Sequence, residues 1–141
     1  MTERIAALRD IADRFDAVLV DQFGVLHNGR AAFPGARACL DALRARGAPL
    51  IALTNSGKRA ALNAARLARL GFPEALFQSV VSSGELTRMR LEAMLRDGSL
   101  AEGARVLLLS RDSDRSLVEG LPLVPVGLGE DAALVLIAGI E

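Results

Sequence analysis

Two hydrophobic patterns alternate along the chain. Short continuous apolar runs predict strands at 17–20, 50–53, 79–81, 105–109, 123–126 and 134–138. Between them, apolar positions recur every three or four residues and predict helices at 2–15, 34–46, 58–70 and 82–96, with a short one at 114–119. Ile5, Leu8, Ile11 and Ala12 form one stripe in the first helix. Pro34 stands in the first turn of the second helix, and Gly47 and Gly71 are placed as stops. Ser82-Ser83-Gly84-Glu85 has the spacing of a capping box. Pro122 and Pro125 would interrupt a central ladder, so 123–126 is expected at a sheet edge.

Strands without polar alternation are expected to be buried on both faces. With helices between them, they predict a doubly wound α/β domain: a mostly parallel sheet with helices on both faces, Rossmann-like in outline. A chain of 141 residues predicts a single domain over 1–141. No helix follows the last strand, so further core sequence or a partner chain is expected, including a homo-oligomer formed through the uncovered sheet.

Composition narrows the classes of partner. Lys and Arg balance Asp and Glu at 17 each, and the aromatics are five Phe with no Trp or Tyr. Neither a dominant basic surface nor an aromatic stacking platform results, which argues against nucleic acid and anionic membranes. The N-terminus is charged throughout, and the longest apolar run, 132–140, is about half a bilayer span. A cytoplasmic location is expected. The single cysteine, Cys39, cannot form an internal disulfide and is expected to pack on its helix.

The candidate chemistry lies at two strand ends. VLV runs into Asp21, and IAL runs into Thr54-Asn55-Ser56-Gly57-Lys58. In parallel sheets ligands bind beyond the carboxyl ends of the strands. If these two strands are neighbours, a carboxylate and a hydroxyl converge there, with loop amides and a helix N-terminus that favour an anion. A carboxylate attacking a phosphate dianion needs a bridging cation, and Mg2+ suits oxygen donors. Attack would give an aspartyl-phosphate that water later opens.

Structural roles compete at every one of these positions. Asp21 could only end a strand, and Thr54 or Asn55 could only cap a helix. Lys58 could contact an anion or be solvated. For His27 a structural hydrogen bond or solvent exposure is preferred to catalysis, for Asn28-Gly29 a tight turn, and for Ser82 and Ser83 capping.

The ordered set DQFGVLHNG (21–29), FPGA (33–36), LTNSGK (53–58), LGF (70–72) and VVSSGE (80–85) resembles the haloacid dehalogenase-like (HAD) hydrolase superfamily, subclass IIA. That group includes nucleotide- and sugar-phosphate phosphatases. The short interval from Asp21 to Thr54 leaves no room for a cap, and AALVLIAGIE (132–141) resembles the strand and hinge that precede a later cap. The resemblance implies Mg2+-dependent phosphoryl transfer from a small phosphorylated metabolite. It makes Asp21 the nucleophile and a metal ligand, the backbone carbonyl of Phe23 a second ligand, and Thr54, Asn55 and Gly24 phosphate- or substrate-binding positions.

Three departures accompany it. Phe23 occupies the place where family phosphatases usually carry the general acid/base Asp, and a phenyl ring cannot protonate a leaving group. No match exists for the family's third-motif lysine or its acidic fourth motif; the contexts of Asp112, Asp114 and Asp131 do not fit. The sequence therefore resembles the N-terminal core portion of a longer HAD protein, without cap domain or C-terminal core motifs, and little activity is expected of these 141 residues. Two other readings stay open: a non-catalytic phosphate- or partner-binding domain, and, from the aromatic in DQFG, a hydrolase of carbon–halogen bonds.

Overall fold

The computed structural model describes residues 4–139. They form two compact units, one of residues 4–54 and 64–80 and one of 55–63 and 81–139.

In the first unit, β1 (Val18–Asp21) and β2 (Leu50–Thr54) run parallel in the register Val18↔Leu50 to Asp21↔Leu53. β3 (Ser79–Ser82) lies on the other side of β2, giving the order β1-β2-β3. α1 (Ala36–Ala45) follows the left-handed Gly35, so Pro34 stands just outside the helix. Leu40 and Leu43 of α1 join Leu26, Leu50, Ala52, Leu67, Phe72 and Leu76 in one core. Arg44 ties α1 down by donating to the Leu76 carbonyl at 2.9 Å.

α2 (Ala60–Arg69) ends as LGF predicts. Gly71 adopts φ +93°, Gly71 N–H donates to Ala68 C=O and Phe72 N–H to Leu67 C=O, which together close the helix in a Schellman turn. The turn drops Phe72 into the core with no exposed surface, a burial that contributes about 2–3 kcal/mol.

The second unit carries β4 (Arg105–Leu109) between β5 (Val124–Val126) and β6 (Leu134–Ile137), all parallel. β5 is the edge strand that its prolines predict. α3 (Ser83–Arg96) contributes Leu91 to a second core with Leu100, Val106, Leu117 and Val118.

Four expectations are corrected. Residues 8–10 and 12–14 form separate 3-10 turns, and the described part of 2–15 holds no α-helix. Ile5 and Leu8 stay exposed, so the apolar stripe has little to pack against and the local period cannot sustain a helix. Residues 111–113 form the 3-10 turn and 116–120 a hydrogen-bonded turn, in place of a helix at 114–119. The outer strands are not buried on both faces: Val18 and Val20 pack on the core while Leu19 is 60% exposed, and in β6 Leu134 and Leu136 pack while Val135 and Ile137 face out. Cys39 is exposed, one helical turn before the buried Leu43 of α1.

Candidate active site

The register of β1 and β2 settles the first condition set by the sequence. Asp21 pairs with Leu53, so Thr54 stands one position beyond the Asp21 level on the adjacent parallel strand. Asp21 is exposed, and its Oδ1 accepts the Gln22 N–H at 2.7 Å. A strand-end carboxylate with a second oxygen still available can act as a nucleophile or hold a cation.

The loop that follows is built on the Gln22 carbonyl, which accepts from the N–H groups of Val25, Leu26 and His27. Gly24 takes φ +84°, a conformation L side chains resist, and its N–H donates to His27 C=O at 2.8 Å. That N–H is consequently engaged within the loop. Phe23 is 66% exposed, and its ring meets His27 edge-on at 6.2 Å between centroids. Among the described residues no hydrogen bond reaches the Phe23 carbonyl, so this oxygen is available as a ligand.

His27 is 98% buried as a structural residue. Its Nδ1 accepts the Gly29 N–H at 3.0 Å, which leaves the ring proton on Nε2. Burial, with the Arg66 guanidinium, pushes the His27 pKa below its usual value; the Asp21 carboxylate pulls the other way. The imidazole is therefore neutral at pH 7. His27 Nε2 and Gln22 Nε2 are buried without a hydrogen-bond partner. Asn28-Gly29 is the tight turn its sequence predicts: Asn28 Oδ1 accepts from Arg30 and Ala31 N–H, and Gly29 has φ +93°.

Asn55 belongs to the second unit, where it lines a cavity of about 360 Å3 with Gly57, Ser83, Gly84 and Thr87. There the loop 55–60 is held by α3. Ser82 Oγ donates to Lys58 C=O at 2.8 Å and accepts the Glu85 N–H at 3.0 Å, so Ser82 caps the helix as predicted. Glu85 does not complete the predicted capping box. Its carboxylate instead accepts from Arg59 Nε and Nη2 at 2.8 Å each and from the Ala60 N–H at 2.9 Å. The bidentate guanidinium outcompetes a single local amide, and the hydrogen bond from Arg59 draws the Glu85 pKa below its usual value. No local pattern announces this pair, because its members lie 26 positions apart.

Lys58 is partly exposed and sits in a surface ion pair. Its Nζ pairs with Asp112 at 3.0 Å. Among the described residues no group of three or more His, Cys, Asp or Glu could hold a metal ion. The oxygen donors present at the first loop are the Asp21 carboxylate and the Phe23 carbonyl, a set that suits a hard cation completing its shell elsewhere.

Comparison with known proteins follows the same lines. Residues 18–123 match the family described as haloacid dehalogenase-like hydrolase. Human chronophin is 43% identical over 93 residues, covering 62% of this chain and 31% of its own. The D-glycerol 3-phosphate phosphatase of Mycobacterium tuberculosis is 32% identical over 134 residues, covering 95% of this chain and 36% of its own. The chain thus spans about a third of the length of these curated relatives. Among solved structures, a haloacid dehalogenase-like hydrolase from Brucella suis aligns with a TM-score of 0.78 at 34% identity, over 99% of this chain and 49% of that one. A glycerol phosphate phosphatase from M. tuberculosis in complex with magnesium aligns with a TM-score of 0.62 at 31% identity, over 91% and 37%. The strand-end placement of Asp21 and Thr54, the parallel sheets and these matches agree: the chain belongs to the haloacid dehalogenase-like hydrolases.

Proposed function

We propose that this chain carries the nucleophile half of a phosphatase site, in which Asp21 accepts the phosphoryl group of a small phosphorylated metabolite. The observation that carries the reading is the register: an exposed carboxylate ends β1, and Thr54 ends the adjacent parallel strand β2 one position beyond the level of Asp21. The magnesium-bound glycerol phosphate phosphatase among its relatives supports the same chemistry. Asp21 and the Phe23 carbonyl would hold Mg2+, which when bound offsets the charge repulsion between carboxylate and phosphate dianion.

The remaining steps belong to the chain. An Asp21 oxygen attacks phosphorus, the ester oxygen departs with the bonding pair, and Thr54 donates to a phosphoryl oxygen. Water then opens the aspartyl-phosphate. Gly24 serves through its conformation, which sets the path of the loop. Phe23 supplies no proton, so leaving groups that depart unprotonated are favoured. The family's lysine and second acidic motif are not among these residues, and slow turnover by the 141 residues is expected.

Covalent labelling tests the nucleophile without requiring turnover. With Mg2+ and 32P-labelled p-nitrophenyl phosphate, acid-quenched protein retains base-labile label at Asp21, and Asp21→Asn retains none. Label that persists in Asp21→Asn overturns the assignment.

A further inference from the structure

A second cavity, of about 660 Å3, opens at the carboxyl ends of β4, β5 and β6 and is lined by none of Asp21, Phe23, Gly24, Thr54 or Asn55. Ser110 continues directly from β4, Val126 ends β5, and Gly139 lies just past β6; all three line it. Beyond the ends of parallel strands is where α/β sheets bind ligands, and the volume suits a small metabolite.

Its charge is specific. Arg111 and Arg115 both line the cavity, against one carboxylate among the described lining residues, Asp112. That carboxylate is already held by Lys58 at 3.0 Å, so the Arg115 guanidinium sets the sign of the space. Arg115 makes no ion pair among the described residues. Asp112 and Ser113 both take positive φ, +58° and +54°, which L residues rarely adopt in succession. Left-handed backbone at two adjacent non-glycine positions clusters at ligand clamps, and here it shapes the segment that joins the two arginines. Leu108, Leu109, Pro125 and Val126 supply the apolar part of the lining.

We propose that this cavity is a binding site for a small organic phosphate, with the phosphate held by Arg115 and the apolar body against Pro125 and Val126. Guanidinium groups bind phosphate in a bidentate manner, and an apolar wall rewards an ester over the bare ion. Neither Asp21 nor Thr54 lines the cavity, so the inference stands or falls apart from the phosphoryl-transfer reading.

The test is calorimetric titration of the chain with phenyl phosphate and with inorganic phosphate, in EDTA so that no divalent cation assists Asp21. Phenyl phosphate is expected to bind at one saturable site, at least about threefold tighter than inorganic phosphate. Arg115→Gln weakens it about tenfold or more and Arg115→Lys by less, while Asp21→Asn binds as the parent does. Circular dichroism of each variant checks that the fold is kept. Absence of saturable binding overturns the proposal, and so does an Arg115→Gln protein that is folded and binds as the parent, or an equal loss in Asp21→Asn.

Discussion

At the scale of single residues, Phe23 limits what this loop can do, because a phenyl ring has no proton to give. The ring is exposed and leans on His27, so an aspartate could take its place without opening the core. Phe23→Asp would restore a proton donor within the loop that carries Asp21. The rate of Asp21 labelling from glycerol 3-phosphate, whose alkoxide needs a proton, is expected to rise about 100-fold or more. Labelling from p-nitrophenyl phosphate should change far less, because its leaving group is stable unprotonated. Equal acceleration of both substrates would show that position 23 acts on binding and not on the proton. Asp21 and Thr54 were legible in sequence because each ends a continuous apolar run, and strand adjacency did the rest. The Lys58–Asp112 pair was not, since the partners are 54 positions apart and neither context signals the other.

At the scale of elements, glycines explain why LTNSGK and VVSSGE read as motifs. A Cβ on Gly57 would collide with the Ala138 carbonyl, and one on Gly84 with the Gly57 carbonyl. Gly84 N–H also donates to Ser56 C=O at 3.0 Å. The loop after β2, the first turn of α3 and the end of β6 thus meet backbone to backbone, with no space for a side chain. Gly84→Ala, which would help an isolated helix by about 1 kcal/mol, should here cost about 2–3 kcal/mol through overpacking. Urea unfolding followed by circular dichroism measures it; a neutral or stabilising result would mean that the junction relaxes easily. Strands were read from sequence more securely than helices for a related reason. A continuous apolar run such as RVLLL finds a sheet in any case, whereas the stripe from Ile5 to Ala12 buries only its last member in the core and leaves Ile5 and Leu8 exposed.

At the scale of the whole molecule, each unit has its own acid-sensitive group. His27 in the first unit has a folded pKa below the ordinary 6.5, chiefly through burial. The unfolded chain then binds the proton more readily, so stability present above pH 6.5 declines as pH falls toward the folded value. Glu85 in the second unit has its pKa drawn below 4.5 by the Arg59 hydrogen bond. Its contribution is present above 4.5 and is lost as pH falls through the lower folded value. Urea midpoints against pH should therefore show two descending slopes. His27→Gln removes the upper one and Glu85→Gln the lower, and an unchanged profile in either variant would refute that assignment.

The hydrogen bonds of the turn after His27 also set how the protein ages. Asn-Gly is the dipeptide most prone to deamidation, in which the glycine nitrogen attacks the asparagine side-chain carbonyl and expels ammonia. Here the Gly29 nitrogen is committed to His27 Nδ1, and the Asn28 carbonyl is held by two backbone N–H groups. Neither reactant can swing into the succinimide geometry while the loop is folded. Peptide mapping after prolonged storage should find Asn28 intact in the native protein and converted to isoaspartate in urea. The imidazole that gave up catalysis for burial thereby acts as a preservative, protecting the loop that carries Asp21 from slow chemical damage.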